Sequence, residues 1–566
     1  MELNAETRSV NEIFSPNKKY IVPRFQREYS WESEEVEEFW DDVAQQIKTT
    51  SGKKITNEEY FIGCIVLVGE DSKPEYLIVD GQQRLTTLTI LLRVIVDRLI
   101  ELGEETAATA LYKNVIEGTD NDGKKYFKLV NESPKPFFQN ELQSLEPAKL
   151  KKAETEEEIL LVQSYTLLKK KLKELKIQNL TQTETAKALR DQVLNYLKFI
   201  LVTAKSEDDA YTIFETLNAR GLSLTSVDLI KNWIFKNYDQ THPNDNAKDI
   251  WGELRKSISK FADLETFFRH YWNSKYAFAS DDRLYKSFKS FLKKGIISDA
   301  KEFLLELRDA SEIYRQIGAP TDKDWTIQKE KPIKRSLDLL NQYRVTQVRP
   351  FLLALFECRK NKVITQTTFT DTITKLENFH LIFSNICQDR ASGLEGKYTR
   401  AAKNLHNAGT NKVAAKGVIS DLIGYLDKKR PTYQRISDAV NGLSFGNVDD
   451  ANKKTIQTIF SKIELSLQAT RELNVSSFSL EHIRDQELAA SWGNSIGNLL
   501  PLCEDINNKI KKGSTFKQKK SQYSKSNLNI VKYFLILNPQ DTWEKIDATK
   551  WADEVCKLLN AATKLD

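Results

Sequence analysis

The sequence is poor in the residues that make turns. Among its 566 residues there are 21 glycines and 13 prolines, well below the ~7% and ~5% of average globular proteins. Because propellers, collagen and turn-rich sandwiches need many of both residues, this depletion argues against those architectures. We therefore expect a helix-rich chain.

Cysteines and long apolar runs are also scarce. Five cysteines are scattered along the chain without a CxxC pair, which excludes a disulfide scaffold and a cysteine-based zinc knuckle. No stretch approaches the ~18 consecutive apolar residues that span a bilayer. The first ten residues, MELNAETRSV, lack the apolar segment of a signal peptide. These absences predict no membrane partner and a cytoplasmic location.

Neither sign of charge dominates the composition. The chain has 84 lysines and arginines against 79 acidic residues, a formal net charge of +5. A bulk-basic protein is thereby excluded, and binding of a polyanion must come from local patches. At ~100–200 residues per domain, the length predicts three or four domains.

The order of the local patterns divides the chain into three predicted domains. Residues 1–240 mix strand-like and helix-like patterns, 241–430 are almost wholly amphipathic helix, and 431–566 combine short strands, turns and a basic run. Linkers are expected near 240–246 and 428–450. The predicted fold class is a multidomain, predominantly α chain with an N-terminal α/β domain, a helical middle region and a C-terminal domain.

One candidate site is a loop that leads from a strand into a helix. Residues 60–68, 76–79 and 200–203 read as strands, and helical leucine spacing begins after residue 84. The loop Asp80-Gly-Gln-Gln-Arg84 has a glycine for a tight turn. Free N–H groups at the helix start, together with an arginine fork, make a natural anion site. The alternative is a turn whose aspartate caps the helix and whose arginine pairs on the surface.

A second cluster near the N-terminus supports the anion-site interpretation. Arg24, Gln26 and Arg27 lie among aromatic residues in the segment 20–31. Guanidinium groups and aromatic rings together favour a cleft for a nucleotide or a nucleic-acid strand. The alternative is an ordinary core edge with the apolar residues inside.

Four segments carry a resemblance to a known family. Residues 20–31, 60–68, 80–88 and 214–229 resemble the N-terminal domain of GmrSD-type restriction proteins, bacterial enzymes of the modification-dependent type IV. The resemblance implies a ParB/sulfiredoxin-like fold that binds and hydrolyses nucleoside triphosphates around the DGQQR motif, with arginines neutralising phosphate and Mg²⁺ bridging its oxygens. It implies the following nucleotide-binding residues: Arg24, Gln26, Arg27, Asp80, Gly81, Gln82, Gln83, Arg84, Asn218 and Arg220. Asp228 is expected only to cap the following helix.

A second constellation lies near the C-terminus. Adjacent Glu481 and His482 end a short strand-like run, Asn498 follows, and Asn507 begins a helical segment. Phosphodiester cleavage needs a base to activate water and a divalent ion to stabilise developing charge. Histidine is a suitable base at neutral pH, and carboxylate and amide oxygens are hard ligands that suit Mg²⁺ or Mn²⁺. The other histidines are predicted to be structural or surface residues: His242, His270, His380 and His406.

These residues resemble the ββα-metal HNH nuclease signature in the C-terminal domain of the same family. The resemblance implies that His482 is the general base, that Glu481 and Asn507 are metal ligands, and that Asn498 braces the hairpin. Asn508 is the alternative to Asn507. Asp485 stands where the family pattern has proline. It either substitutes as a polar anchor or marks a drift away from catalysis.

A lysine-rich segment follows this constellation. Residues 506–540 contain no aspartate or glutamate, so the positive excess of a nearly balanced chain is concentrated there. Such a patch beside a nuclease site is the footprint of a phosphate backbone and predicts salt-sensitive binding. The alternative is a solvated lysine-rich helix. The predicted DNA-binding residues are Lys509, Lys511, Lys512, Lys517, Lys519 and Lys520.

Together these features predict a nucleotide-dependent DNA endonuclease of anti-phage restriction. The N-terminal domain would hydrolyse a nucleoside triphosphate, and the HNH domain would cut phage DNA, with modified DNA as one candidate target, using one Mg²⁺ or Mn²⁺. Two alternatives stay open: a nucleotide-switched DNA-binding regulator with an inactive HNH remnant, and an abortive-infection toxin that nicks host nucleic acid. The base of the nucleotide and assembly into a homo-oligomer are also open.

Overall fold

The computed structural model describes residues 3–24, 26, 28–49, 55–70, 72–132, 136–145, 151–206, 225–238, 246–445, 450–468 and 478–565. The chain divides into two compact units. Unit 1 comprises Met1–Gly252 and Phe288–Leu305, and unit 2 comprises Glu253–Ser287 and Glu306–Asp566. The boundaries between the three domains expected from the sequence stay a prediction.

The predicted fold class is confirmed in outline, since a mixed N-terminal sheet is followed by a helical middle and a C-terminal region. The helices are α1 Val10–Phe14, α2 Ser33–Ala44, α3 Gln82–Glu101, α4 Glu105–Val115, α5 Glu156–Glu174, α6 Gln182–Asp191, α7 Ser226–Asn237, α8 Asn246–Ile258, α9 Leu264–Lys275, α10 Leu284–Lys293, α11 Ala300–Gly318, α12 Lys331–Gln342, α13 Arg349–Lys360, α14 Gln366–His380, α15 Leu394–Ala408, α16 Lys412–Lys429, α17 Tyr433–Asn441, α18 Asp450–Leu467, α19 Glu504–Asn507, α20 Phe516–Tyr523, α21 Asn529–Leu537 and α22 Lys545–Ala562. The strands are β1 Leu3–Ser9, β2 Lys19–Val22, β3 Ile47–Thr49, β4 Ile55–Asn57, β5 Tyr60–Val68, β6 Glu75–Asp80, β7 Glu117–Thr119, β8 Lys125–Phe127, β9 Leu129–Asn131, β10 Leu197–Ala204, β11 Ser479–His482 and β12 Leu499–Leu502.

Unit 1 is built on a mixed sheet with the strand order β1-β10-β5-β6-β2-β9. Strand β10 is parallel to β5 and antiparallel to β1, while β2 is parallel to both β6 and β9. Antiparallel pairing of β5 with β6 places Val66 opposite Asp80, where β6 ends. The three strands expected from short β-branched runs are therefore present, as β5, β6 and β10.

Helix α3 positions the first candidate site. It packs against α4, α5 and α6. Its leucines at 85, 88, 91, 92 and 99 are all fully buried. A helix that is apolar on most of its surface belongs in a core, so the start of α3 is held firmly at the end of β6.

Unit 2 is mainly helical and contains the β11–β12 hairpin. The two strands are antiparallel, with His482 opposite Leu499. The core around the hairpin includes the buried aromatic residues Phe516, Tyr523, Phe534, Trp543 and Trp551. The hairpin therefore rests on α20, α21 and α22. None of the described helices is long and apolar enough to cross a bilayer.

Candidate functional site

The predicted strand-to-helix loop is present after Asp80. Strand β6 ends at Asp80, Gly81 has φ 94°, and α3 begins at Gln82. A positive φ favours glycine, and a Cβ at this position would also come within 3.1 Å of the Ile65 Cγ1 atom. The first N–H groups of α3, which lack partners within the helix, lie at this turn.

Asp80 and Arg84 face each other across one helical turn. The Nη2 atom of Arg84 lies 3.4 Å from Oδ2 of Asp80, and Nη1 donates to the Ile62 carbonyl at 3.4 Å. Both side chains are about one quarter exposed, so the guanidinium has a pairing partner and still reaches solvent. Burial and the neighbouring Asp80 carboxylate raise the pKa of the Cys64 thiol on the adjacent strand.

The two glutamines of the loop have different surroundings. Gln83 is buried. Its Oε1 accepts from the Ser30 N–H at 2.9 Å, and its Nε2 donates to the Glu28 carbonyl at 3.1 Å. Gln83 therefore fastens the segment before α2 to the start of α3. Gln82 is buried at the first position of α3.

Two residues of the N-terminal cluster make structural contacts. Gln26 donates from Nε2 to the Val79 carbonyl at 3.1 Å, next to Asp80. Arg24 donates from Nε to the Phe235 carbonyl at 3.2 Å and from Nη2 to the Tyr238 carbonyl. Those carbonyls lie at the C-terminal end of α7, where a cation is stabilising. Arg24 thus caps α7, a role that the sequence analysis missed.

Three of the predicted nucleotide-binding residues, Arg27, Asn218 and Arg220, lie outside the described residues. Asp228 is described and acts as expected. Its Oδ2 accepts from the Thr225 N–H at 3.0 Å, and its own N–H donates to Thr225 Oγ1 at 3.2 Å. This reciprocal pair is the capping box of α7.

Asn498 lies at the base of the C-terminal hairpin and is fully buried. Its Nδ2 donates to the carbonyls of Arg484 and Gly493, each at 2.8 Å, and its Oδ1 accepts from the Arg484 N–H at 2.9 Å. One amide therefore joins the loop after His482 to the loop before β12, which is the geometry of a brace.

His482 ends β11 and is enclosed on one side by Phe445. The two rings are nearly parallel, with centroids 5.5 Å apart. The Nε2 atom of His482 lies 2.8 Å from Gln486 Nε2 and 3.3 Å from the Phe445 carbonyl. Burial lowers the pKa of His482. The imidazole is therefore held in place, and the neutral form that can accept a proton is favoured.

Glu481 is buried beside Lys519 and Tyr523. Its Oε1 lies 3.0 Å from the Lys519 Nζ atom and accepts from the Tyr523 hydroxyl at 3.4 Å. Burial raises the pKa of Glu481, while Lys519 acts in the opposite direction. Both of these contacts are made by Oε1, and Oε2 takes part in neither.

The structure corrects the prediction that Lys519 contacts DNA. Lys519 is only 3% exposed. Its Nζ atom donates to the His482 carbonyl at 2.7 Å and to Asp485 Oδ1 at 2.9 Å, in addition to the contact with Glu481. An ammonium has three donors, and all three are used inside the fold.

Asp485 anchors the turn that follows His482. Its second oxygen, Oδ2, accepts from the Gly513 N–H at 2.7 Å. Burial would raise the pKa of Asp485, but the hydrogen bonds from Lys519 and Gly513 lower it below its usual value. Of the two alternatives for this position, a polar anchor is the one that these contacts match.

Asn507 lies at the end of α19, against the first residue of β11. Its Nδ2 donates to Ser479 Oγ at 2.9 Å, whereas no hydrogen bond joins Asn507 to His482 within the described part of unit 2. Residues two apart on a strand share a face, so Ser479 and Glu481 point to the same side. The alternative ligand, Asn508, is exposed.

The oxygen donors on this face have the chemistry that a divalent cation requires. Glu481 Oε2 and Asn507 Oδ1 are hard ligands, and Mg²⁺ is commonly held by one or two protein oxygens with water and phosphate completing its shell. Among the described residues there is no group of three or more His, Cys, Asp or Glu side chains placed to hold a metal. Glu481 and Asn507 are thus of the chemical type that Mg²⁺ or Mn²⁺ binds, and a cation held by them would take most of its ligands from water and phosphate.

The remaining predicted lysines differ in exposure. Lys509, Lys511, Lys512 and Lys517 are exposed, and we call these four the basic surface. Lys512 pairs with Glu487 and Lys517 pairs with Asp541, each at 2.8 Å. Such exposed pairs are weak, so a phosphate can replace the carboxylate.

Lys520 is half-buried, and its ammonium is directed inwards. Its Nζ atom donates to the Pro539 carbonyl at 2.9 Å and lies 3.5 Å from Asp541 Oδ1. We therefore leave Lys520 out of the basic surface.

Two of the other histidines have the structural role that was expected. The Nδ1 atom of His270 lies 2.7 Å from the Tyr314 hydroxyl. His380 contacts Ser384 Oγ and the Tyr398 hydroxyl, each at 2.8 Å. Both rings are buried. His406 is exposed, and His242 lies outside the described residues.

Comparison with known families assigns both ends of the chain. Residues 10–235 match the model of the GmrSD restriction endonuclease N-terminal domain, and residues 432–558 match the model of the GmrSD restriction endonuclease C-terminal domain. The first match contains the Asp80–Arg84 loop, and the second contains the whole β11–β12 hairpin. No curated protein matches the chain. The chain belongs to the GmrSD restriction endonuclease family and is a restriction endonuclease whose substrate is DNA.

Proposed function

We propose that the β11–β12 hairpin is an HNH nuclease site that hydrolyses DNA, with His482 as the general base. The observation that carries this proposal is the convergence of Asn498, Gln486 and Lys519 on the short segment that presents His482. A base that must act on one water molecule has to be held in a fixed position, and this segment is held on three sides.

The chemistry assigned to His482 is proton transfer. Water attacks the phosphorus of the scissile phosphodiester, and the proton that this water loses passes to the imidazole. The P–O bond to the sugar breaks, and the departing sugar oxygen takes a proton from solvent water and leaves as a hydroxyl. Glu481 Oε2 and Asn507 Oδ1 would hold one Mg²⁺ or Mn²⁺, which supplies stabilisation of the charge that develops on phosphate and leaving oxygen. The ring stacking on Phe445 keeps the imidazole from rotating away.

The basic surface supplies the contact to the DNA backbone. Its lysines follow the hairpin in sequence, and the N–H of Gly513, between Lys512 and Lys517, donates a hydrogen bond to Asp485 in the loop of the hairpin. Lysines neutralise phosphates with release of counterions, so binding should weaken steeply as salt is added. A surface of this charge beside the hairpin favours duplex DNA as its ligand.

We further propose that the Asp80–Arg84 loop binds and hydrolyses a nucleoside triphosphate. The start of α3 offers backbone N–H groups, and Arg84 offers a guanidinium that is only loosely paired at 3.4 Å. Both are suited to phosphate. Asp80, which pairs with Arg84 in the same loop, would take part in holding the accompanying Mg²⁺. Gln83 and Arg24 would have a supporting role, since their side chains bind backbone groups of the protein.

The proposed biological role is restriction of phage DNA under nucleotide control, with modified DNA as a candidate target. The first alternative function, a nucleotide-switched regulator with an inactive nuclease remnant, depends mainly on Asp485, which stands where the family pattern has proline. The anchoring contacts of Asp485 remove that support, because the turn is tethered without proline. An abortive-infection toxin that nicks host nucleic acid stays as the second candidate.

Plasmid cleavage tests the proposal. Supercoiled plasmid, modified phage DNA and RNA are incubated with the protein and Mg²⁺ or Mn²⁺, with and without each nucleoside triphosphate. His482→Ala should abolish cleavage, and His406→Ala, a change of an exposed histidine, should leave it intact. Equal activity of wild type and H482A would reject the nuclease assignment. Cleavage of RNA or unmodified host DNA alone would favour the toxin.

A further inference from the structure

Lys519 stands out among the lysines of the C-terminal segment because it is buried and fully bonded. Its three acceptors all come from one stretch of five residues: Glu481 Oε1, the carbonyl of His482 and Asp485 Oδ1. The distances are 3.0, 2.7 and 2.9 Å, in that order. No donor of this ammonium remains for a phosphate.

The helix that carries Lys519 is itself firmly placed. Helix α20 begins with a capping box between Thr515 and Gln518. Phe516 and Tyr523, which flank Lys519 at helical spacing, are buried in the core of unit 2. The Tyr523 hydroxyl reaches the same Glu481 oxygen as Lys519. The Lys519 ammonium therefore attaches the end of β11 to a helix that is itself fixed in the core.

Asp485 completes the attachment from the other side. Its φ of −56° lies within the range of about −65 ± 15° that a proline ring imposes. The turn thus has a backbone compatible with proline. In this chain the two carboxylate oxygens tether it instead, one to Lys519 and one to the Gly513 N–H.

We propose that Lys519 is a positioning residue of the nuclease site, which together with Asp485 fixes the backbone of His482 and orients the Glu481 carboxylate. This inference rests on the proposed nuclease function. By occupying Oε1 of Glu481, Lys519 leaves Oε2 for the cation. By binding the His482 carbonyl, Lys519 fixes the backbone of His482 and so the direction in which its imidazole projects.

The test compares Lys519→Met with Lys517→Met in the full-length protein. Each variant loses one positive charge, and the two positions are two residues apart in sequence. Of the two lysines, only Lys519 is buried. In plasmid cleavage with Mg²⁺, K519M should lower kcat by ~10–100-fold, as loss of a supporting contact around a metal ligand typically does. Its Kd for duplex DNA and the salt dependence of that Kd should be unchanged. K517M should weaken DNA binding, and Lys525→Met, at an exposed lysine outside the basic surface, should leave kcat intact.

Two further variants separate positioning from a general loss of structure. Lys519→Arg keeps the charge and should recover part of the lost kcat. Adding Asp485→Pro to K519M should also recover activity, because the ring restrains the turn and the unpaired carboxylate is removed. Thermal melting of each variant identifies any that fail to fold.

Hydrogen–deuterium exchange of segment 479–485 gives a readout that does not depend on cleavage. Exchange there should be faster in K519M and unchanged in K517M. A K519M protein with wild-type kcat and wild-type exchange, or with weakened DNA binding alone, would overturn the inference. An inactive wild type would instead reject the proposed nuclease function, whatever the exchange shows.

Discussion

Gly63 makes the space that the guanidinium of Arg84 occupies. A Cβ at position 63 would overlap the Nη1 atom of Arg84, and the φ of Gly63 is +118°. The glycine sits in β5, and the arginine sits in the first turn of α3 on the neighbouring β6 side. The Arg84 guanidinium therefore lies where a side chain at position 63 would stand.

Gly63→Ala should destabilise unit 1 by both backbone strain and this overlap. We expect a loss of ~2–3 kcal/mol in the free energy of unfolding, combining a strained φ with overpacking. In an Arg84→Ala background the overlap is gone, so the same substitution should cost about 1 kcal/mol less. Urea denaturation of the four proteins of this double-mutant cycle measures the difference. Equal costs in both backgrounds would mean that the guanidinium does not fill this space.

Asn498 should be the least replaceable residue of the hairpin that does not touch substrate. Asn498→Ala leaves one N–H and two carbonyls without their partner in a buried loop, at ~1–3 kcal/mol for each unsatisfied group. Asn498→Asp should be at least as damaging, because a carboxylate would face the carbonyls of Arg484 and Gly493. Both variants should lose stability and DNA cleavage.

Asn508→Ala is the matched control for the Asn498 variants, since Asn508 is exposed. It should melt and cut DNA like the wild type. Thermal melting and plasmid cleavage of the three variants check this. An N498A protein with unchanged stability would show that water replaces the amide and that the brace is dispensable.

Several features of the fold and of the site could be predicted from local sequence. Strands β5, β6 and β10 are short runs rich in β-branched residues. This composition is enough to predict a strand without knowing its neighbours in the sheet. The Asp80–Arg84 turn is marked by its glycine between a strand and a leucine-spaced helix. The candidate nuclease site was indicated by the adjacent Glu481 and His482 and by Asn498. A carboxylate, an imidazole and an amide at this spacing are typical of a metal-dependent nuclease.

Contacts between distant segments could not be predicted in the same way. Arg24 binds carbonyls 211 and 214 residues away, and no local pattern indicates that pairing. Lys519 lies in the same lysine-rich segment as the exposed Lys517 and the half-buried Lys520. The one available signal was its spacing from Phe516 and Tyr523, which places it on the buried face of α20. A lysine on an apolar face is stable only when acceptors meet it, and those acceptors come from residues 481–485.

Unit 2 should lose stability in mild acid because two of its buried histidines are neutral in the folded state. Burial lowers the pKa of His380 to about 3. Burial, with smaller contributions from Arg269 and Arg349, lowers the pKa of His270 to about 3. The unfolded chain takes up a proton near pH 6.5 and the folded chain does not, so stability falls as the pH drops from 6.5 towards 3.

Each of these histidines should cost ~2 kcal/mol between pH 7 and pH 5, given an unfolded pKa near 6.5. His380→Gln keeps a polar group beside Tyr398 but cannot titrate, so it should remove about half of this combined loss. Urea denaturation of wild type and H380Q at pH 7, 6 and 5 measures the two slopes. Identical slopes would mean that His380 is already charged in the folded protein.

The basic surface should control DNA affinity and its salt dependence without controlling the rate of the chemical step. Replacing Lys509, Lys511, Lys512 and Lys517 together by alanine should reduce the slope of log K against log salt by up to ~3–4, since each phosphate contact contributes about 0.9. Cleavage at saturating DNA should keep its kcat, because none of these side chains touches His482 or its supports. Fluorescence anisotropy with labelled duplex between 50 and 200 mM salt measures the slope. A matched alanine variant of four exposed lysines on α16, Lys412, Lys416, Lys428 and Lys429, should leave the slope unchanged. If both sets lowered it equally, the attraction would come from the net charge of the chain and not from the surface beside the hairpin.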